Sequence, residues 1–560
     1  MTTEKEYLTE VGVEHRKKFA QFFTPETIAS FMAQWVVQEH RGNADILEPA
    51  FGLGVFSRAL QQLNPKVAIT GYDIDAKIYH YAKENFSSAD IHLQLKNEDY
   101  LETSWEELYD GIICNPPYLK FHDYDNGKYV PIINKKLKIK LNGFTNIYTL
   151  FLLKSIAQLK EGGRLAYIIP SEFLNSDYGV EVKRALIASG VLRHVIIVDY
   201  TQCAFGDALT TACILFCQRD KNSESIRFSR IDDVKELHLA MTEFKTVNAA
   251  FLKPEVKWKQ YYEEQQACKY HHLVPFSTFA KVSRGIATGA NDYFTFNVEK
   301  KDKYNLDDNS FKPCISHSAD VKSLVFTDAD FSNLANGGKK VYLFDGCVDN
   351  SSVQVKNYLR LGEEAGINTR FLTASRSPWY ALEKRLPSPI WVSVFNREGL
   401  RFVRNEAHVF NLTTFHCVYN VSDIDTNILF AYLITDVAKE IFLDNSRQYG
   451  NGLIKFEPND LNKGNVVDLR LLSEDEQMFI LRVYEYLRLY GNVCNRCMKL
   501  LDDFFRAKYT NGEVHLPYYV DALCQIRKDV TVVKLPKLKP RRTKQLNFLE
   551  IHNIACFRKH

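Results

Sequence analysis

The sequence predicts an α/β fold, with a Rossmann-like, mostly parallel sheet followed by a C-terminal domain of mixed α+β structure. Over the first ~220 residues, short apolar runs alternate with amphipathic helical patterns, as in consecutive βαβ units. After about residue 245, short strand-like pieces and Gly/Asn/Asp turns replace that alternation. A chain of 560 residues with 46% hydrophobic and 25% charged content is ordinary for a globular protein of two or three domains.

Six apolar runs are expected to form strands of this sheet. They cover residues 45–47, 67–72, 91–93, 111–113, 165–169 and 195–198, with helices such as 147–159 and 179–188 between them. Ligands of an open parallel sheet bind beyond the carboxyl ends of its strands, so the residues that directly follow each run should form the functional site. We place the boundaries of this first domain at residues 1 and 245.

The rest of the chain is expected to form a second domain, residues 246–533, and a basic tail, residues 534–560. The second domain contains turn-rich segments and a helical stretch at 474–508. In the tail, Arg541 and Arg542 lie among lysines and prolines, where they could bind phosphates. A solvated tail is the alternative.

Composition excludes several classes of protein. With 71 basic and 68 acidic residues, the net charge of +3 favours no class of partner. Twelve scattered cysteines are typical of reduced thiols. Cys494 and Cys497 have zinc-ligand spacing, but no second pair lies near them, so packed or surface thiols are expected and no metal site is predicted. The charged N-terminus and the lack of a long apolar run predict a cytoplasmic protein that does not bind membranes.

Acidic residues follow three successive strands. Glu48 lies in a glycine-containing segment whose backbone can approach a ligand, Asp73 follows the second strand, and Asp99 follows the third. An acid after the second strand suits a ribose diol, and Asp99 could accept a hydrogen bond from an adenine amino group. Each acid alone is more often a helix N-cap. Together they favour a cofactor that contains a nucleoside; no triphosphate-binding G-x-x-x-x-G-K-[ST] motif is present in the sequence.

The segment Asn115-Pro116-Pro117-Tyr118 follows the fourth strand. Two prolines make the turn stiff and remove two backbone donors. The Asn115 amide and the Pro116 carbonyl can accept the two hydrogens of an exocyclic amine, while Tyr118 stacks on the ring that carries it. The alternative is a proline turn that only closes a strand. We predict that this segment is catalytic.

The order of these segments resembles that of the N6-adenine DNA methyltransferases of the gamma arrangement, a family of type II restriction–modification methylases, over nearly the whole chain. The resemblance implies the class I S-adenosylmethionine-dependent methyltransferase fold, S-adenosyl-L-methionine as cofactor and double-stranded DNA as substrate. It implies methyl transfer to N6 of a flipped adenine and a C-terminal target-recognition domain. The cofactor-binding residues that it implies are Phe22, Thr24, Pro25, Glu48, Pro49, Ala50, Gly52, Gly54, Asp73, Ile74, Asp99, Tyr100, Asn115, Pro117 and Phe151.

The resemblance also implies contacts with DNA. Tyr118 and Phe205 would stack on the extruded base, and Arg284 and Lys455 lie in segments that look like recurrent recognition-domain segments. This sequence departs from the family at two positions of the glycine motif. Phe51 stands where the family commonly has a small residue or cysteine, and the side chain at this position need only pack. Glu48 replaces the commoner aspartate and keeps its charge.

Other functions remain open from the sequence. The same tetrapeptide serves enzymes that methylate an RNA adenine or a protein glutamine amide, and a methylase can be inactive or fused to a nuclease. A fused nuclease should leave a Pro-Asp…(Asp/Glu)-x-Lys pattern, and the segment Glu243-Phe244-Lys245 matches only the last part of it. We expect a monomeric methylase that protects sites from a separate cognate restriction endonuclease.

Overall fold

The computed structural model describes most of the chain. The described residues are 4–39, 42–87, 92–198, 211–220, 224–348, 352–396, 400–449, 453–490, 494–510 and 512–531. Within these ranges no helix combines the length and the apolar character that a membrane crossing requires.

A nine-stranded sheet, counted over the described residues, forms the first half of the chain. Its strands are β1 (Ala44–Glu48), β2 (Val67–Tyr72), β3 (Leu93–Lys96), β4 (Tyr109–Cys114), β5 (Leu159–Pro170), β6 (Leu192–Val198), β7 (Ala212–Gln218), β8 (Ser225–Ile231) and β9 (Lys245–Asn248). They lie in the order β3-β2-β1-β4-β5-β7-β6-β8-β9. Only β7 and β9 run against their neighbours, which confirms the mostly parallel α/β sheet.

Helices pack on both faces of this sheet. They are α1 (Glu4–Val11), α2 (Val13–Phe19), α3 (Glu26–Val37), α4 (Val55–Leu63), α5 (Ala76–Asn85), α6 (Asn126–Leu137), α7 (Ile147–Ala157), α8 (Glu172–Asn175) and α9 (Gly179–Ser189). Successive side chains of a strand point to opposite faces, so Ile112 joins the core cluster that contains α7, whereas Ile113 joins the cluster that contains α3. A strand covered on both faces reads as a continuous apolar run, which is why the sequence revealed it.

The sequence missed three strands and placed the bounds of two elements wrongly. The predicted strand 91–93 is observed as β3, Leu93–Lys96. The predicted helix 147–159 ends at Ala157, because Leu159 already pairs with Tyr109 as the first residue of β5. The irregular register that follows is accommodated by Gly162 at φ +79°. Among the described residues no α-helix lies between β6 and β9, so β7, β8 and β9 do not show the βαβ pattern from which the other strands were predicted.

Short strands in small sheets make up the region that follows. The strands are β10 (Leu273–Pro275), β11 (Ala280–Arg284), β12 (Thr295–Phe296), β13 (Phe311–Ile315), β14 (Val325–Phe326), β15 (Tyr342–Phe344), β16 (Ile390–Ser393), β17 (Phe395–Asn396), β18 (Phe402–Asn405), β19 (Phe410–Asn411), β20 (Phe415–Asn420), β21 (Arg447–Tyr449), β22 (Leu453–Lys455) and β23 (Asn465–Val467). The sheets have the orders β11-β20-β16-β18-β14, β12-β15-β13-β19, β17-β22-β21 and β10-β23. Together with the helices, they give the mixed α+β structure expected here.

The helices of this region are α10 (Lys259–Tyr262), α11 (Asn291–Phe294), α12 (Val298–Tyr304), α13 (Asp328–Asn336), α14 (Val353–Glu364), α15 (Phe371–Ala374), α16 (Thr426–Leu433), α17 (Asp436–Leu443) and α18 (Pro458–Asn462). Met1–Arg470 forms one compact unit, and Leu471–His560 forms another. In the second unit, the predicted helical stretch contains α19 (Glu474–Leu489), which begins with a Ser473 capping box, and α20 (Cys494–Thr510); α21 (Leu516–Thr531) follows. Cys497 is buried on α20.

The predicted boundary at residue 245 falls on the first residue of β9, so the sheet extends to Asn248. A separate recognition domain at 246–533 and the basic tail at 534–560 stay predictions; the tail lies outside the described residues.

Candidate active site

A cavity of about 350 Å³ lies beyond the carboxyl ends of strands β1 to β4. The predicted site residues that line it are Phe22, Thr24, Pro49, Ala50, Gly52, Asp73, Ile74, Asp99, Tyr100, Asn115, Pro116, Pro117 and Phe151. These residues come from six separate segments of the chain, and the parallel order of the strands brings them together. Pro25, Glu48, Gly54 and Tyr118 are not among the lining residues.

The Asn115 carboxamide is held from one side only. Its Nδ2 donates to the carbonyl of Phe22 at 2.9 Å and to Thr24 Oγ1 at 3.0 Å. Its Oδ1 is buried and has no hydrogen-bond partner among the described residues. A buried acceptor without a partner costs free energy, so this arrangement provides an acceptor for a ligand at the cavity wall.

The N-terminal segment that the resemblance assigns to the cofactor also supports the proline turn that contains Tyr118. The Phe22 ring stacks on Tyr118 with a centroid distance of 5.3 Å and an interplanar angle of 25°. The Tyr118 hydroxyl donates to the Ile168 carbonyl at 3.3 Å, and Tyr148 contacts the same ring edge-on. The Tyr118 ring is therefore fixed, with Phe22 over one face. Stacking of a base on this ring stays a prediction.

Asp73 is tied to the glycine segment. Gly52 N–H donates to its Oδ2 at 2.9 Å, and Asp75 N–H donates to its Oδ1 at 3.0 Å. Burial raises the pKa of Asp73 to about 6, although these two amides favour the charged form. Ile74 beside it is 59% exposed and lines the cavity, where an apolar side chain can cover a planar ring.

Asp99 is oriented by a tyrosine that the sequence did not indicate. Its Oδ1 accepts from the N–H of Leu101 at 2.9 Å, and its Oδ2 accepts from the Tyr129 hydroxyl at 2.5 Å. Tyr129, on α6, lines the cavity as well. Since α6 follows the proline turn by several residues, only the tertiary structure shows that it faces this strand end.

A buried lysine fixes the loop that follows Asp99. Lys154 interrupts an apolar run of the sequence, and its Nζ donates to the carbonyls of Tyr100 at 2.5 Å and Thr103 at 2.8 Å. Burial lowers the pKa of Lys154 to about 8. Next to it on α7, Phe151 contacts the Tyr100 ring at 5.2 Å, so the wall of the cavity is anchored to the helix core.

Asp75 is a positioning residue that sequence reasoning missed. Its Oδ2 lies 2.6 Å from Gln21 Nε2, 2.7 Å from His15 Nε2 and 3.4 Å from the Tyr7 hydroxyl. These contacts hold the N-terminal segment against the loop after β2, so that residues 18–24 form one side of the cavity. The signal was the second acid of Asp73-Ile74-Asp75, which was given no role.

Two predicted cofactor residues lie behind the cavity wall. Glu48 is fully buried, its Oε2 accepts from Ser57 Oγ at 2.6 Å, and its Oε1 has no partner among the described residues. Burial raises the pKa of Glu48 to about 8. Gly54 has φ +76°, and a Cβ there would lie 2.5 Å from the Phe86 ring, so packing alone requires glycine. A direct cofactor contact of either residue stays a prediction.

The chemistry of the lining suits S-adenosyl-L-methionine. The charged residues among the described lining residues are Asp73, Glu98, Asp99, Asp125 and Lys18, which leaves an excess of negative charge. The cofactor carries a sulfonium and an ammonium group, a nucleoside with a ribose diol, and a planar base. Carboxylates and aromatic rings therefore fit this group.

Arg284 and Lys455, predicted to contact DNA, meet at a second cavity of about 560 Å³. Arg284 donates to Glu457 Oε2 at 2.7 Å, and Lys455 Nζ lies 2.7 Å from Glu457 Oε1. Burial disfavours the Glu457 charge, yet the two cations hold its pKa down to about 2. Phe205, Arg541 and Arg542 lie outside the described residues.

Comparisons with known proteins agree with this geometry. Residues 5–340 match the model of the N-6 DNA Methylase family, and residues 255–502 match the C-terminal domain of Type II methyltransferase M.Eco57I. The Type II methyltransferase M.AccI of Acinetobacter calcoaceticus is 50% identical over 525 residues, which cover 90% of this chain and 96% of that protein. The Type II methyltransferase M.XamI of Xanthomonas campestris pv. amaranthicola is 22% identical over 80% of this chain and 85% of that protein.

The fold has a counterpart among solved structures. The type IIL restriction–modification enzyme MmeI, solved in complex with DNA, aligns with a TM-score of 0.58 at 12% identity, over 95% of this chain and 79% of that one. At that identity the likeness shows the fold alone. The family model and the M.AccI relative, by contrast, reach across most of the chain at the sequence level. The chain therefore belongs to the N-6 DNA methylase family and is an S-adenosyl-L-methionine-dependent DNA methyltransferase of the type II restriction–modification class.

Proposed function

We propose that the protein methylates the exocyclic N6 of adenine at a specific site in double-stranded DNA. The observation that carries this proposal is the Asn115 amide, whose donors are occupied while its buried Oδ1 has no partner in the described part of the chain. An amine with two hydrogens is the ligand that such an acceptor and a neighbouring proline carbonyl match.

The adenine amine is a poor nucleophile, because its lone pair is delocalised into the ring. Asn115 Oδ1 and the Pro116 carbonyl would accept its two hydrogens and thereby expose the lone pair on nitrogen. When bound, the cofactor supplies an electrophilic methyl group on a positively charged sulfur. The chain positions and polarises the amine, and no side chain has to act as a strong base.

A base inside a duplex cannot reach the end of the sheet, so the adenine must leave the stack at a cost of a few kcal/mol. Stacking on Tyr118 offsets part of this cost, by roughly 1–3 kcal/mol for one ring. Phe205 is our candidate for a second contact with the base.

For the cofactor, Asp73 would hold the ribose diol and Asp99 the adenine amino group, with Ile74 and Phe151 packed on the rings. Asp73 and Asp99 both line the cavity with a carboxylate that a neighbouring backbone N–H orients. The carboxylates that surround the cavity favour a cationic ligand over an anionic one.

The C-terminal region, 246–533, would recognise the DNA target, with Arg284 and Lys455 among its contacts. Their support is the shared cavity with Glu457 and the match of residues 255–502 to the M.Eco57I C-terminal domain. In the tail, Arg541 and Arg542 remain candidates for phosphate contacts.

The function is tested by sequencing DNA from a host that expresses the protein. We expect N6-methyladenine in one recurrent sequence, and its absence from DNA of a host that expresses Asn115→Ala. Unmodified adenines in the first host would refute the proposal. In vitro, transfer of labelled methyl groups to duplex DNA, and not to tRNA or a glutamine-containing protein, distinguishes the substrate classes.

We further propose that a separate endonuclease cuts the same site and that the methylase acts as a monomer. The relatives M.AccI and M.XamI, which match most of the chain, are named as methyltransferases. Plasmid DNA incubated with the pure protein and Mg²⁺ should stay intact, and sedimentation should give the mass of one chain. Cleavage of the plasmid would contradict the separate endonuclease, and the mass of a dimer would contradict the monomer.

A further inference from the structure

The most exposed large apolar side chain among the described residues is Phe371, with 91% of its surface accessible. Burial of a phenylalanine side chain usually stabilises a fold, and this ring contributes almost none of that stabilisation. Within the part of the chain that the structure describes, this ring is therefore left available for a partner.

The backbone that carries this ring is well anchored. Thr373 is buried, and its hydroxyl donates to the carbonyls of Ile367 and Arg370. The Arg376 guanidinium donates to the Thr288 carbonyl at 3.1 Å, which ties this segment to the loop after β11. At that loop, a Cβ on Gly289 would lie 2.9 Å from Leu372 Cβ, so the two backbones meet closely. The backbone at Phe371 is therefore held in place while its ring is exposed.

The residue before Phe371 lines the second cavity described above. We call this cavity the basic cleft; its lining includes Arg284, Arg370, Phe395, His416, Lys455 and Glu457. Three permanent cations face one carboxylate, so the cleft carries excess positive charge. Phe395 is 57% exposed, and Lys455 Nζ lies 5.3 Å from its ring centroid. Cations interleaved with exposed aromatic rings are typical of surfaces that bind nucleic acids.

We propose that Phe371 is a wedge that enters the base stack of duplex DNA, while Arg370 binds a phosphate of the same strand from the basic cleft. This inference rests on the proposed function for its partner, DNA, and adds a contact distinct from the catalytic turn. Apolar wedges of this kind, phenylalanine and leucine among them, partly unstack one base step and kink the duplex. The charge of the cleft selects a polyanion over an apolar protein surface as the occupant.

The test uses the full chain and a duplex that the wild-type protein binds, with 2-aminopurine placed at one position at a time. The variants are Phe371→Ala, Phe371→Trp, Arg370→Ala and, as matched control, Phe251→Ala; Phe251 is 72% exposed and follows β9. Thermal unfolding checks that each variant is folded, and little change is expected because both rings are exposed.

Phe371→Ala should weaken binding by about 5- to 150-fold, the equivalent of the roughly 1–3 kcal/mol of one aromatic–base stack. It should remove the fluorescence increase at one step outside the target adenine, whereas Phe371→Trp and Phe251→Ala should keep it. Arg370→Ala should lower the slope of log K against log salt by about 1, and Phe371→Ala should leave that slope unchanged.

Binding by Phe371→Ala within twofold of wild type, with an unchanged fluorescence profile, would overturn the wedge. The wedge would also be overturned if Phe371→Ala changed the sedimentation of the protein without changing its binding to DNA, because the ring would then serve a protein interface. Methylation of adenine by the wild-type protein is measured separately, so failure of the wedge and failure of the proposed function are distinguishable.

Discussion

Removal of the Asn115 carboxamide should abolish most of the methyl transfer while cofactor binding is largely retained. Asn115→Ala deletes the side-chain oxygen that would accept from the substrate amine. In the wild type, the Asn115 carboxamide is held by hydrogen bonds from its Nδ2 to Phe22 at 2.9 Å and Thr24 at 3.0 Å. Loss of one preorganised group that stabilises a reacting centre costs about 10²–10³-fold in turnover, or roughly 2.7–4 kcal/mol. The two acceptors left behind lose a donor, which costs roughly 1–3 kcal/mol of stability.

The measurement is single-turnover transfer of labelled methyl groups to duplex DNA, with cofactor affinity followed by calorimetry. Thr24→Val serves as an intermediate perturbation, because it removes one of the two acceptors that orient the amide and leaves Oδ1 in place. We expect a smaller loss of rate there, about 2- to 13-fold, as for one hydrogen bond of about 0.5–1.5 kcal/mol. Asn333→Ala, on the exposed side of α13, is the matched control and should transfer at the wild-type rate. Turnover by Asn115→Ala within tenfold of wild type would refute the assigned role.

Three further predictions concern other parts of the site. Tyr118→Ala should lower turnover more than cofactor affinity, whereas Tyr118→Phe should lower turnover only mildly, because it keeps the ring and removes the hydroxyl that donates to the Ile168 carbonyl at 3.3 Å. Equal losses of turnover in the two variants, measured by steady-state kinetics, would contradict the stacking role. Asp73→Ala should raise the cofactor dissociation constant by about 10- to 100-fold, as expected for charged hydrogen bonds of roughly 1.5–3 kcal/mol, and calorimetry with unchanged affinity would disprove it. Glu48→Gln should flatten the pH dependence of stability. In the wild type, the pKa of the Glu48 carboxyl is raised from 4.5 to about 8. The free energy of unfolding of the protein therefore falls as pH rises through this window, by up to about 5 kcal/mol. Thermal midpoints between pH 5 and pH 8 that fall equally in both proteins would rule this out.

The contacts of Asp75 connect two parts of the cavity wall. Asp75 holds the segment that contains Gln21 against the end of β2, and Phe22 and Thr24 of the same segment contact the proline turn. The proposed cofactor-binding side and the proposed catalytic side of the cavity therefore share one N-terminal segment. A substitution there is expected to affect both cofactor affinity and the position of the amide.

The sequence by itself predicted six strands of the sheet and the order of the segments that line the cavity. Buried parallel strands read as apolar runs, and the runs of β1, β2 and β4 are followed closely by residues that line the cavity, among them Ala50, Asp73 and Asn115. This works because the carboxyl end of a strand and the residue after it are neighbours in the chain, so local sequence already carries the placement.

Only the tertiary structure decided which polar groups are satisfied and which remain available. The bonds of Asn115 to Phe22 and Thr24 join residues more than 90 positions apart, and those of Asp99 to Tyr129 join different elements. Glu48 has the right spacing for a ligand contact, yet packing places it behind the wall. The exposure of Phe371 likewise follows from how neighbouring segments pack. Hydrogen bonding and burial depend on distant partners in the chain, and no local pattern encodes them.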